Sequence, residues 1–215
     1  MEPMARRPRT ATARLAATAP RTPGVARPSR NRRRLGAALA ILLSSAGLAH
    51  SQSDSLCEQE MARAAQENDI PLNILYSVGL TETGHRGALS PWDMNVDGRA
   101  VHSASLDEAL LRFADERAHG ARFIDVGCMQ INAHYHASHF RSLAEMFDPT
   151  RNVDYAAGFL KTLKAQEGSW TMAVARYNAG PDNPQAQRNY VCAVIGNMVN
   201  SGMGEWTPHA REFCK

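Results

Sequence analysis

The chain has 215 residues, with 24 basic and 21 acidic side chains and a formal charge of +3. The basic surplus is confined to one end: residues 1–34 hold ten arginines and one acid, which leaves 14 basic and 20 acidic residues over 50–215, a net of −6. That acidic remainder takes away the electrostatic basis for a nucleic-acid partner, and its length of about 165 residues suits one core rather than two.

Leu35 to Ala49 is an uncharged apolar run behind the arginines. At about 15 residues it is too short for a membrane span and reads as the apolar region of a signal peptide. Gly47 and Ala49 are small residues spaced for cleavage near His50. The expected division is therefore 1–49 as a signal peptide with a long basic leader and 50–215 as the exported domain, with no membrane span left after cleavage. Cys57, Cys128, Cys192 and Cys214 all fall in the exported part. An even count behind an export signal reads as two disulfides, and no C-x-x-C spacing favours zinc. Three connectivities are open. The expected one joins Cys57 to Cys214, because domain ends often lie together, and Cys128 to Cys192.

Helical signals dominate the exported part. Ser55 and Glu58 form a capping-box pattern ahead of Cys57, Met61, Ala64 and Ala65, which share a face. Pro71 suits the first turn of a second helix with Ile74, Leu75 and Val78 inward, Glu82 in its last turn and Gly84 as its stop. Residues 85–104 read as irregular, with a hairpin or loop at Asn95-Val96-Asp97-Gly98. Ser105 and Glu108 cap a helix through Leu106, Ala109, Leu110 and Phe113 that ends by Gly120. Ile124 to Ile131 reads as a turn or short strand leading into a helix start. Asp148-Pro149 opens a longer helix buried along Val153, Ala156, Ala157, Leu160 and Leu163, closed by Gly168. Trp170 to Tyr177 is a short helix stopped at 178–181, with Asn178 suited to a left-handed end. The last helix runs from about Gln185 to Val199, with Tyr190, Val191, Val194, Ile195 and Met198 inward.

Three segments carry chemistry. Glu82, within Thr81-Glu82-Thr83, is a carboxylic acid at the end of an apolar helix, where a dry face favours its protonated form. Gly127-Cys128-Met129-Gln130-Ile131-Asn132 and Arg176-Tyr177-Asn178-Ala179-Gly180 come later at wide spacing. Together they resemble the catalytic domain of the lytic transglycosylases. That family's pattern has Glu-Ser at a helix end, then Gly-Leu-Met-Gln-Ile, then Ala-Tyr-Asn-Ala-Gly. Thr83 keeps the hydroxyl, Cys128 replaces the leucine and Arg176 replaces the first alanine. The resemblance covers essentially the whole of 50–215. It implies a mainly α, α+β lysozyme-like fold, a helical bundle around a substrate groove with a small hairpin region.

The same resemblance implies a periplasmic enzyme that cleaves the β-1,4 bond between N-acetylmuramic acid and N-acetylglucosamine in peptidoglycan, without water and without a cofactor. Glu82 would be the only acid/base. Thr83, Met129, Gln130, Asn132, Tyr177 and Asn178 would line the sugar groove. Asn132 matches the Met-Gln-Ile-Asn form of the specialised enzymes that serve flagella and secretion systems, which makes such a machine an expected partner. A muramidase is the nearest rival and would need a second carboxylate, for which Asp125 and Asp97 are candidates. A glycan-binding assembly factor would not need the acid at Glu82. His134, His136 and His139 lack the helical i, i+4 pair of a zinc site, and no functional metal is expected. Trp92, Trp170 and Trp206 read as packing residues. The segment 99–122, with its own helix, reads as a surface insertion, with capping of the groove or binding of a partner as the alternatives.

Overall fold

The computed structural model describes residues 49–83 and 89–215. The leader and Gly84 lie outside the described residues. Five helices close a ring: α1 (Ala49–Asn68) packs on α2 (Leu72–Thr83) and α6 (Pro149–Glu167), α6 on α7 (Trp170–Ala179), α7 on α8 (Pro184–Asn200), and α8 back on α2. Cys57, Met61 and Ala64 of α1 face Val153, Ala156, Ala157 and Leu160 of α6 in the buried core, as the helical spacing requires. Each of the larger apolar side chains there contributes about 1.5–3 kcal/mol by leaving water.

The sheet sits beside this ring. It is antiparallel throughout, in the order β2 (Arg99–Val101), β1 (Met94–Val96), β3 (Ile124–Val126), β4 (Ile131–Asn132). The β1–β2 hairpin turns at Asp97 and Gly98, both with positive φ, 47° and 96°. That is the backbone of a two-residue hairpin turn whose twist matches its strands. Asn95 and Asp97 close the turn region: the Gly98 amide donates to Asn95 Oδ1 at 2.8 Å, and the Phe123 amide to Asp97 Oδ1 at 3.2 Å. Helix α3 (Leu106–Ala118) starts at Ser105, whose hydroxyl accepts from the Glu108 amide as its capping pattern predicts. It packs on α5 (Leu143–Phe147), while α4 (Ala133–His136) packs on β3.

Several expectations need correction. Helix α1 reaches back to Ala49, so Ser55 lies inside it rather than at its start; neither Gly nor Pro interrupts 49–68 to force a later start. Helix α7 includes Asn178 and ends at Gly180, whose φ is 61°, so Asn178 is helical rather than a left-handed end. Helices α4 and α5, the 3-10 turn Ala137–His139 and the C-terminal α9 (Pro208–Phe213) carry stripes too short to read as periodic.

The disulfides pair otherwise than expected. Cys57 joins Cys128 and Cys192 joins Cys214, each with Cα atoms 5.6 Å apart. The C-terminal segment does not run to the start of the domain. It folds back at once, and α9 packs on α8. Cys57, fully buried on α1, meets the loop after β3 instead. Among the described residues no helix is long and apolar enough to cross a membrane.

Candidate active site

The loop 127–130 organises the site because four helices hold it. Cys128 is bonded to α1 through its sulfur. Its carbonyl is 3.2 Å from the Thr83 hydroxyl at the end of α2, which also lies 3.1 Å from the Gly79 carbonyl. The Met129 amide donates to Asn152 Oδ1 on α6 at 2.8 Å, and its carbonyl accepts from the Tyr177 hydroxyl on α7 at 3.0 Å. Asn152 Nδ2 donates to the Val126 and Met146 carbonyls at 2.9 and 2.7 Å. One buried amide therefore satisfies three backbone groups that burial would otherwise strand.

Gly127 makes this approach possible. Its φ is 77°, and a Cβ there would lie 2.5 Å from Asn152 Nδ2 and 2.8 Å from its Cγ. Gln130, at φ 46°, turns inward, and its Nε2 lies 3.1 Å from the carbonyls of Asp93 and Gly127. Asn132 caps α4 by accepting from the His134 amide at 3.0 Å and donates Nδ2 to Asp125 Oδ1 at 2.6 Å.

Glu82 stands half-buried in the last turn of α2. The Tyr190 hydroxyl of α8 donates to its Oε1. Farther along α8, Asn197 Nδ2 donates to Thr81 Oγ1 at 2.9 Å, which fixes the rotation of one helix against the other. Tyr177 is fully buried. Burial pushes its phenol well above its ordinary value, and the neighbouring Glu82, Tyr155 and Asp125 raise it further. It therefore stays a donor at any working pH. Gln187 Nε2 donates to the Gly180 carbonyl and ties the end of α7 to α8.

The residues singled out by sequence are thus brought together, though mostly as a foundation. Thr83, Met129, Gln130, Asn132, Tyr177 and Asn178 are all buried, at 9% exposure or less. Tyr190 and Asn152 were not singled out as site residues. A tyrosine on an inward helix face must find a partner for its hydroxyl, and that signal was present. Asn152 shares a helix face with Ala156 and Leu163, and a polar residue in such a stripe calls for bonded neighbours. His136 is buried with Nδ1 2.9 Å from the Tyr155 hydroxyl, whereas His134 and His139 are exposed. Burial pushes the Tyr155 phenol up to about 12. Among the described residues no group of three or more His, Cys, Asp or Glu is arranged to hold a metal ion. Trp92 and Trp170 pack against the core, and Arg211 lies over the Trp206 ring at 5.9 Å.

This constellation is that of an enzyme built on a helical lysozyme-like domain, with one carboxyl at a helix end. Residues 61–195 match the model of the transglycosylase SLT domain. The match spans more than half of the chain, which belongs to that family of lytic transglycosylases acting on peptidoglycan. No curated protein and no solved structure matches the chain.

Proposed function

We propose that the protein is a periplasmic lytic transglycosylase that cleaves the β-1,4 bond between N-acetylmuramic acid and N-acetylglucosamine and leaves a 1,6-anhydromuramic end. The observation that carries this reading is the single carboxyl of Glu82, half-buried at a helix end and held by the Tyr190 hydroxyl. Glu82 first donates its proton to the glycosidic oxygen as the C1–O bond breaks. As carboxylate it then takes the proton from the muramic C6 hydroxyl, whose oxygen bonds to C1. The proton returns to Glu82, and no water is consumed.

A muramidase would need a second carboxylate to activate water. The two candidates are engaged elsewhere: Asp125 is buried and bonded to Asn132, and Asp97 accepts from the backbone of Phe123 in the hairpin turn. Thr83, Met129, Gln130, Asn132, Tyr177 and Asn178 are buried, which supports a role for them in positioning the glycan-binding surface rather than in touching the sugar directly. Export behind a signal peptide is supported by the two disulfides. The Met129-Gln130-Ile131-Asn132 segment supports service to an envelope-spanning machine, a flagellum or a secretion system.

The test is digestion of purified sacculi followed by mass analysis of the muropeptides. Anhydromuramic ends are expected; reducing muramic ends as the main product would make the protein a hydrolase. Glu82→Gln is expected to abolish lysis while the melting temperature stays within a few degrees, because the amide keeps the shape and cannot supply the proton. Turnover by the folded variant would remove Glu82 from the mechanism.

A further inference from the structure

A concavity lies apart from Glu82, though its Met146 and His134 backbones also bond Asn152 and Asn132 behind the Glu82 site. It has a volume of about 420 Å³ and is formed by α3, β3, α4, the 3-10 turn and α5. Its wall is apolar, with Phe113, Ile124, Phe140, Leu143 and Met146. Arg117, Arg122 and Arg141 also line it, and no acidic side chain does. That pattern is unusual on a domain whose residues 50–215 carry a net of −6.

The cations are incompletely neutralised. Arg141 and Arg151 share the one carboxylate of Glu145, with nitrogen–oxygen distances of 3.0 and 3.1 Å. Arg117 spends Nη1 on the carbonyls of Ala121 and Arg122, at 2.8 and 3.3 Å. The Arg122 guanidinium lies 5.6 Å from the centre of the Phe123 ring. Neither the Arg117 nor the Arg122 guanidinium has a carboxylate partner among the described residues, while the Arg122 backbone amide lies 3.4 Å from Asp97 Oδ2. A guanidinium fork of this kind is built to take a carboxylate bidentately.

We propose that this concavity docks a protein partner through a short acidic segment that inserts a large apolar side chain. The apolar wall takes the side chain, and Arg122 and Arg117 take the flanking carboxylates. The size is that of a small-ligand pocket, room for one or two side chains. The charge excludes the arginine-rich leader as occupant. The peptide stems of peptidoglycan carry carboxylates too, but their apolar groups are largely alanine methyls, which leave a wall of two phenylalanines, Ile124, Leu143 and Met146 unfilled. The α3 insertion is thus a partner-binding element, and the surface is independent of the glycan reaction.

The experiment titrates acetyl-Asp-Glu-Leu-Phe-Asp-Glu-amide into the intact, disulfide-bonded protein and follows amide chemical shifts. Controls are the Asn/Gln counterpart, the peptide with Ala-Ala in place of Leu-Phe, and the stem tetrapeptide of peptidoglycan. Binding at about 0.1–1 mM is expected, the range of one buried apolar group with two charge-assisted contacts. Shifts should centre on Ala133, Ala137 and Leu143, and both altered peptides should bind at least about tenfold more weakly. Arg122→Glu, which removes no backbone bond, should weaken binding about tenfold or more by reversing the charge. Ala137→Trp, which fills the cavity and leaves the arginines in place, should abolish it. Lysis of sacculi should be unchanged in both variants.

No shift at about 5 mM peptide, far above the expected range, would overturn the proposal. So would binding indifferent to Arg122→Glu or to loss of Leu-Phe, tighter binding of the stem tetrapeptide, or self-association through this face. Absence of lysis in the unaltered protein would strike the glycan-cleaving reading and leave this one standing.

Discussion

Replacing Asn152 tests whether the loop 127–130 depends on one buried amide. Its three bonds, to the Met129 amide and the Val126 and Met146 carbonyls, are 2.8, 2.9 and 2.7 Å long. Asn152→Leu keeps the volume roughly and strands all three groups. At about 1–3 kcal/mol for each stranded group, and with partial relaxation, the loss should be about 3–6 kcal/mol. That is a large share of a domain stability of about 5–15 kcal/mol.

Asn152→Asp separates hydrogen bonding from packing. The introduced carboxyl can still accept from the Met129 amide, yet faces two carbonyl oxygens that need donors. Its ionised form is disfavoured in the fold, so its folded pKa lies above the unfolded value of about 4. The protonated form restores one donor. Stability relative to the native chain should therefore be greatest below about pH 4 and fall as pH rises through the raised folded value. Urea unfolding of the non-reduced protein, followed by tryptophan fluorescence at acid and neutral pH, measures both effects. A cost under about 1 kcal/mol for Asn152→Leu, less than one stranded group, would refute the reasoning. So would an Asn152→Asp variant that is costlier in acid.

Tyr190→Phe removes the hydroxyl that meets Glu82 and should slow lysis of a peptidoglycan suspension about ten- to hundredfold, the worth of a hydrogen bond to a charged group; an unchanged rate would take Tyr190 out of the site. The disulfides close sequence separations of 71 and 22 residues. Paired Cys→Ala changes should thus cost about 4 kcal/mol at Cys57 and Cys128 and about 3 kcal/mol at Cys192 and Cys214 by loop entropy, and equal midpoints in denaturant titrations would count against that ordering. The Arg141 guanidinium and backbone amide, helped by Arg151, hold Glu145 down at about 2. Its contribution to stability is present above the usual carboxylate range and fades as pH falls toward about 2. The difference in melting temperature between the native chain and Glu145→Gln should shrink over that interval, and a constant difference would contradict it.

Local chemistry was readable wherever one element decided it alone. The caps at Ser105 and Asp148, the Asp97-Gly98 turn and the inward stripe of α6 follow from contacts within a few residues, and the structure has them as the pattern requires. Glu82 at a helix end was readable for the same reason, as were the four cysteines as bonded pairs. Pairing was a different kind of question. Cys57 meets Cys128 because α1 lies against the loop after β3, and Cys214 meets Cys192 because α9 turns back on α8. No local preference encodes either approach. The same holds for Tyr190 and Asn152, which come to Glu82 and Met129 across sequence separations of 108 and 23 residues. Sequence alone determined which groups were available and which face of each helix was dry. The ring of helices decided which of those groups meet, because burial of a polar atom is tolerable only where another element brings it a partner.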